Sequence, residues 1–266
     1  MDWSKIKTIF IITFLILDVY LLYQFMKIRD ANKYEFITEA SFEEKLKADE
    51  IKYVDLPKDP IQAQYLSAKP KVFNQEDVDK LKGQPVVIRG TGSTTLHVTL
   101  EKPLKITAKF EPAELSTFLN DNVLFGEDYQ FGEKSEKDQS ITYFQISGNV
   151  PLFKNINGMI TFKIGEGNQI VSYDQTYLVE MEKLTDKEEI LKPLKAIETL
   201  HQKGMLKSKS NITAIELGYS TLIQLAASQV LAPTWRFEVD GKESLFVNAF
   251  EGQIIQFNSD EKSKVE

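Results

Sequence analysis

The chain has 266 residues, 42% hydrophobic and 27% charged, which is the balance of a folded globular protein. Its 39 acidic residues against 32 basic ones give a formal charge of −7, which argues against a nucleic-acid binder. Cysteine is absent, excluding disulfides, thiolate nucleophiles and Cys-ligated zinc, and the two histidines, His97 and His201, are too few for a His-rich metal centre.

The first element is an apolar run at 8–26, TIFIITFLILDVYLLYQFM. At about 1.5 Å per residue it is long enough to cross a hydrocarbon core of about 30 Å. Trp3 stands at one end, and Tyr20 and Tyr23 toward the other, where amphipathic rings favour the interface. Bulky residues follow the run and no small-residue cleavage site is present, so the reading is an uncleaved signal anchor, 8–28, after a short tail, 1–7. Lys5 and Lys7 precede it, while Lys27, Arg29 and Lys33 follow it, so the charge count does not set the orientation.

Asp18 lies near the middle of this run. A central Asp costs about 2.5–3.5 kcal/mol on insertion scales. The twelve Leu, Ile, Phe and Val residues return roughly 4–7 kcal/mol, so the segment still inserts. The side chain is too short to reach the headgroups. It is either tolerated against lipid or, as we favour, in contact with another membrane helix. On a helix it shares a face with Ile11, Phe14, Leu15, Leu21, Leu22 and Phe25, the candidate interaction face.

Beyond a polar juxtamembrane stretch, Ser41-Phe-Glu-Glu44 has the form of a capping box for a helix through about Glu50. Strands are expected at 51–56 and 64–68, then a helix at 75–81 capped by Asn74 and stopped by Gly83. Residues 85–89 and 95–100 flank Gly90-Thr-Gly-Ser-Thr94 and read as a hairpin, with 104–110 continuing the sheet. Glu111 and Pro112 open a helix to about Leu124, and a polar run, 132–140, separates it from a meander at 141–147, 158–164 and 169–180. Thr185-Asp-Lys-Glu188 is a second capping box, opening a helix toward Gly204 that Pro193 should kink or restart. Strands close the chain at 212–219, 234–239, 245–250 and 253–257, with turns at Asp240-Gly241 and Glu251-Gly252 and a charged tail from Ser259. Helices and strands do not alternate strictly, which favours α+β: a transmembrane helix, then two helix-plus-antiparallel-sheet modules, 29–184 and 185–266.

No motif carries catalysis. The stretch Arg89-Gly-Thr-Gly-Ser-Thr94 lacks the terminal Gly-Lys-Ser/Thr of a P-loop and the third Gly of a dinucleotide fingerprint, so a hairpin turn is the better reading. His97 and Glu101 share a strand face but stand about 13 Å apart. His201 falls at a helix end, where a cation suits the macrodipole. There is no Gly-x-Ser-x-Gly elbow, no His-Glu-x-x-His and no Ser-x-x-Lys set. An enzyme is not expected, and no cofactor.

The opening MDWSKIKTIFIITFLILDVYLLYQF resembles the start of members of the YycH/YycI family, membrane-anchored regulators of low-GC Gram-positive bacteria. The closing Ala232-Pro-Thr-Trp-Arg-Phe-Glu-Val-Asp-Gly-Lys242 and Leu245-Phe-Val-Asn-Ala-Phe-Glu-Gly-Gln253 are similar to that family's C-terminal hairpins and also to PepSY-type and YpeB-like modules. The resemblance implies a cytoplasmic N-terminus and an extracytoplasmic α+β domain. It also implies partnership with a YycH-like sister protein and a YycG/WalK-type sensor histidine kinase controlling cell-wall metabolism. The family is regulatory and has no active-site residues to carry over. Two other classes stay open: an extracytoplasmic small-ligand or peptide sensor, and a cell-envelope hydrolase.

Overall fold

A computed structural model describes residues 3–33, 35–57, 59–81, 83–225 and 227–257. The charged tail lies outside them. Two compact units emerge, one holding the chain up to Lys52 with Lys207–Ser210, the other holding Tyr53–Leu206 and the chain from Asn211.

In the first unit, α1 (Trp3–Lys33) runs through the apolar segment and onward through the stretch read as juxtamembrane. Helix α2 (Glu35–Ala48) follows. Ser41 therefore lies inside α2 and not at its start; the helix starts six residues before the expected box. The chain leaves α2 through Asp49 and Glu50, the latter at φ 57°, and Lys209 N–H donates to Asp49 O at 2.9 Å.

The second unit begins at Tyr53, the second residue of short strand β1 (Lys52–Tyr53), and continues with β2 (Gln62–Ala63) and β3 (Leu66–Pro70), then α3 (Gln75–Lys80). The Asn74 cap is as expected: its side chain accepts from Asp77 N–H at 3.1 Å, and the Asp77 carboxylate accepts from Asn74 N–H. Next come β4 (Val86–Arg89) and β5 (Thr95–Lys105), joined by the anticipated Gly-rich turn. Glu111 precedes a 3₁₀ turn, Pro112–Leu115, that runs into α4 (Ser116–Asn122). Glu114 closes this turn, accepting from Glu111 N–H and from the hydroxyl and N–H of Thr107; these bonds hold its carboxyl below the usual range.

The first part of the polar run read as a separator is instead strand, and the rest is the turn into the next one. β6 (Tyr129–Ser135) pairs with β7 (Ser140–Ser147), and β8 (Val150–Pro151), β9 (Met159–Gly165) and β10 (Gln169–Gln175) follow. These make a seven-stranded sheet, order β4-β5-β10-β9-β7-β6, with β8 on β7. Every pairing in it is antiparallel. Alternate residues point to its core face: Leu96 and Val98, Ile160 and Phe162, Ile141 and Tyr143, with Tyr173. Leu115 and Leu119 from the turn and α4 cover them in one continuous core.

The expected final strand of the meander breaks at Thr176 and Tyr177. Its second half, β11 (Leu178–Lys183), leaves the first sheet and pairs with β3 in the second. Residues 185–192 are not helical: β12 (Glu188–Glu189) pairs with β2, and Thr185 Oγ1 accepts from Tyr65 N–H at 3.2 Å. Helix α5 (Pro193–Gln202) starts at the proline itself. Then come β13 (Asn211–Gln224), β14 (Gln229–Val239), β15 (Glu243–Asn248) and β16 (Ile254–Ile255), in that spatial order. The long β14 takes β13 on one edge; its other edge is shared by β3 at Gln229–Leu231 and by β15 beyond Thr234. Asp240 and Gly241, both at positive φ, make the tight turn into β15. The architecture is thus α+β with an apolar N-terminal helix and antiparallel sheets.

Candidate interaction sites

Within α1 the stretch Ile6–Met26 is long and apolar enough to cross a membrane, with none of it buried inside the protein. Ile11, Phe14, Leu15, Leu21, Leu22 and Phe25 are 54–66% exposed, and they run along the helix on the side of Asp18. Among these seven, Asp18 alone carries a polar side chain. At the start of the segment the Lys7 ammonium lies 5.3 Å from the Trp3 ring centroid.

In the second unit several contacts join the two sheets, and three of them stand out. First, Gln145 of β7 is buried; its Nε2 donates to Leu178 O at 2.9 Å and its Oε1 accepts from Leu178 N–H at 2.7 Å. The side-chain amide stands where the peptide of a neighbouring strand would be. Secondly, Phe144 of β7, Phe153 and Phe246 of β15 form an aromatic cluster, with ring centroids 6.4 and 5.4 Å apart in successive pairs. Thirdly, Arg236 of β14 is mostly buried, reaching Gly132 O at 3.4 Å, Ser244 Oγ at 3.1 Å and Glu216 at 3.5 Å. Gly132 and Gly218 leave room for these contacts: a Cβ at Gly132 would stand 2.6 Å from the Phe144 ring, and one at Gly218 2.4 Å from the Phe153 ring.

His97 does have a partner, which local spacing did not reveal. Asp174, opposite it on β10, offers Oδ1 to His97 Nδ1 at 2.8 Å. Both project from the sheet face opposite the core, and their cue was that each falls on the outward parity of its strand. A His–carboxylate pair needs a nucleophile and a binding hollow to do chemistry. Neither residue lines the cleft on the second sheet, an open hollow of about 390 Å³ bounded by Lys154, Met205, Phe246 and Phe257 among others. In that cleft the Lys154 ammonium lies 5.7 Å from the Phe246 ring centroid and pairs with Glu133 at 2.9 Å. Among the described residues no three His, Asp or Glu side chains are gathered as a metal ion would require.

Two surface features remain. Leu222, Ile223 and Leu225, at the β13–β14 hairpin end, are 41–55% exposed. Phe125, at φ 54°, stacks on Tyr177 with centroids 4.4 Å apart, and Tyr177 O–H donates to Asp128 at 2.7 Å.

No curated protein matches this sequence. Among solved structures, an uncharacterized protein from Eubacterium rectale ATCC 33656 superposes with a TM-score of 0.45 at 11% identity, over 78% of this chain and 89% of its own. YycH from Bacillus subtilis gives 0.45 at 15% identity over 74% of this chain and 54% of its own, so the chain spans about half of that protein. The YpeB C-terminal domain of Bacillus megaterium gives 0.36 at 13% identity, over 70% of this chain and 99% of its own. A family model described as "YycI protein" matches residues 31–250, nearly the whole length after α1 apart from the last strand and tail. On that match the chain belongs to the YycI family.

Proposed function

We propose that this chain is a non-catalytic, membrane-anchored regulator that binds a YycH-like sister protein and biases a YycG/WalK-type sensor histidine kinase. The observation that carries the reading is the family match over residues 31–250. The apolar segment Ile6–Met26 supports the anchor. In this reading residues 1–7 are cytoplasmic, 8–28 cross the bilayer, and two α+β modules, 29–184 and 185–266, stand outside the cell. A reporter fused to the C-terminus and active only after export tests the orientation; activity of a cytoplasm-only reporter there overturns it.

A regulator shifts a kinase only if the kinase's signalling states bind it unequally. The seven-residue face centred on Asp18 is the proposed contact within the bilayer, with the carboxyl group meeting a polar group of a partner helix. Interhelical hydrogen bonds in membranes average about 0.6 kcal/mol and reach about 1.7 kcal/mol. Asp18→Leu is therefore expected to weaken co-purification with the kinase and sister protein about threefold to twentyfold and to shift kinase output. Leu15→Asn, on the same face, is the companion control. Unchanged association and output in Asp18→Leu, at normal membrane levels, would move the regulatory contact to the outer domain.

A further inference from the structure

The membrane segment has a second polar seam, on the other side from Asp18. Ile6, Phe10, Thr13, Leu17, Tyr20 and Gln24 follow one another at spacings of four, three, four, three and four residues. That is the spacing of a left-handed helix-pair seam. At about 100° per residue, Thr13, Tyr20 and Gln24 lie about 120–160° around the helix from Asp18.

The two sides differ in chemistry. Around Asp18 the neighbours are Ile11, Phe14, Leu15, Leu21, Leu22 and Phe25, so that face holds no hydrogen-bond donor for the carboxylate. Two copies meeting there would set Asp18 against Asp18. The second seam is self-complementary. Thr13 Oγ1 donates to Ile9 O at 2.9 Å, so this hydroxyl is satisfied within its own helix. Gln24 Nε2 donates to Tyr20 Oη at 3.0 Å, which leaves the Tyr20 proton pointing onward as a donor and Gln24 Oε1 as an acceptor. Related by a twofold axis along the membrane normal, Tyr20 of each helix can donate to Gln24 of the other, so each donor meets its acceptor twice. Phe10 and Leu17, 61% and 47% exposed, supply the apolar packing of the same seam. The segment has no Gly or Ala, so the helices would pack at ordinary interaxial distances of about 8–10 Å, not in close contact.

We infer that the occupant of this seam is a second copy of this chain: the anchor forms a parallel homodimer through Phe10, Thr13, Leu17, Tyr20 and Gln24, leaving the Asp18 face free for a different helix. The inference rests on α1 crossing a bilayer and not on which protein meets Asp18.

The chain lacks cysteine, so single cysteines can be placed without background. The full chain is expressed without kinase or sister protein, its membrane residence is checked by carbonate extraction, and membranes are oxidised with a lipid-permeable catalyst. Disulfide-linked dimer should be strong for cysteine at Phe10, Thr13 and Leu17 and weak at Ile11, Phe14, Leu15 and Leu22. In the Leu17→Cys background, Gln24→Leu should lower dimer formation about threefold or more, while Tyr23→Leu, off both seams, should not. Strongest cross-linking on the Asp18 side, an even pattern around the helix, or no dimer would each overturn the inference. None of these results tests contact of Asp18 with the kinase, because the kinase is not expressed in these membranes.

Discussion

Replacing Gln145 with Leu tests whether one buried amide welds the two sheets. Leu has nearly the volume of Gln but neither donor nor acceptor. It would strip Leu178 of both partners, the Nε2 donor at 2.9 Å and the Oε1 acceptor at 2.7 Å. Leu178 is itself buried, 2% exposed, so water does not replace them. Each orphaned backbone group costs about 1–3 kcal/mol, for about 2–6 kcal/mol in all, less what the new methyl groups recover. We expect a loss of at least about 2 kcal/mol, or about 4 °C or more in Tm for a domain of this size. The measurement is urea and thermal unfolding of the full chain in micelles, read by fluorescence of buried Trp235 in a Trp3→Phe background. Gln145→Glu should be no better than Leu, because its second oxygen faces Leu178 O. A loss under about 0.5 kcal/mol for Gln145→Leu would refute the reasoning, since the backbone would then have found other partners.

Two further outcomes are expected. Burial pushes Tyr143 up to about 12, and Tyr129, Tyr173 and Tyr177 also lie well above the ordinary value. A raised folded-state value adds stability that is complete below about pH 10, where free tyrosine titrates, and is lost as pH rises above it. Absorbance at 295 nm should accordingly show a set of tyrosines that ionise only as the fold opens, and ionisation of all ten near pH 10 with the fold intact would contradict this. Gly218→Ala should destabilise by about 1–3 kcal/mol, because the added methyl would meet the Phe153 ring at 2.4 Å and Pro151 O at 2.6 Å; unchanged Tm would mean the β8 loop yields freely.

What the sequence made legible was local and periodic. The apolar run announced α1, Asn74 and Gly83 announced α3, and Asp240-Gly241 announced its hairpin, because each signal lies within a few residues of its effect. Thr185-Asp-Lys-Glu188 looked equally local, yet pairing of β12 with β2 and the bond from Tyr65 N–H to Thr185 overrode it. β6 was hidden because Gly132, Glu133, Lys134 and Ser135 carry no apolar alternation, and its pairing with β7 supplies the order instead. Asp18 was legible as a carboxylate in an apolar segment. The partners of His97 and Gln145, 77 and 33 residues away, were not, since nothing at either residue encodes a distant strand's register.

The break between β10 and β11 has a mechanical consequence. At this crossing just two residues, Thr176 and Tyr177, carry the chain from one sheet to the other, and both are pinned: Thr176 N–H donates to Met159 O at 3.0 Å, and Tyr177 O–H donates to Asp128. A linker that short and that tightly held cannot act as a hinge. Load applied to either sheet by a docked partner is delivered to the other as a rigid displacement, with this second unit behaving as a lever and not as two beads on a string. Pulled from its ends, this part of the protein should yield both sheets in a single rupture.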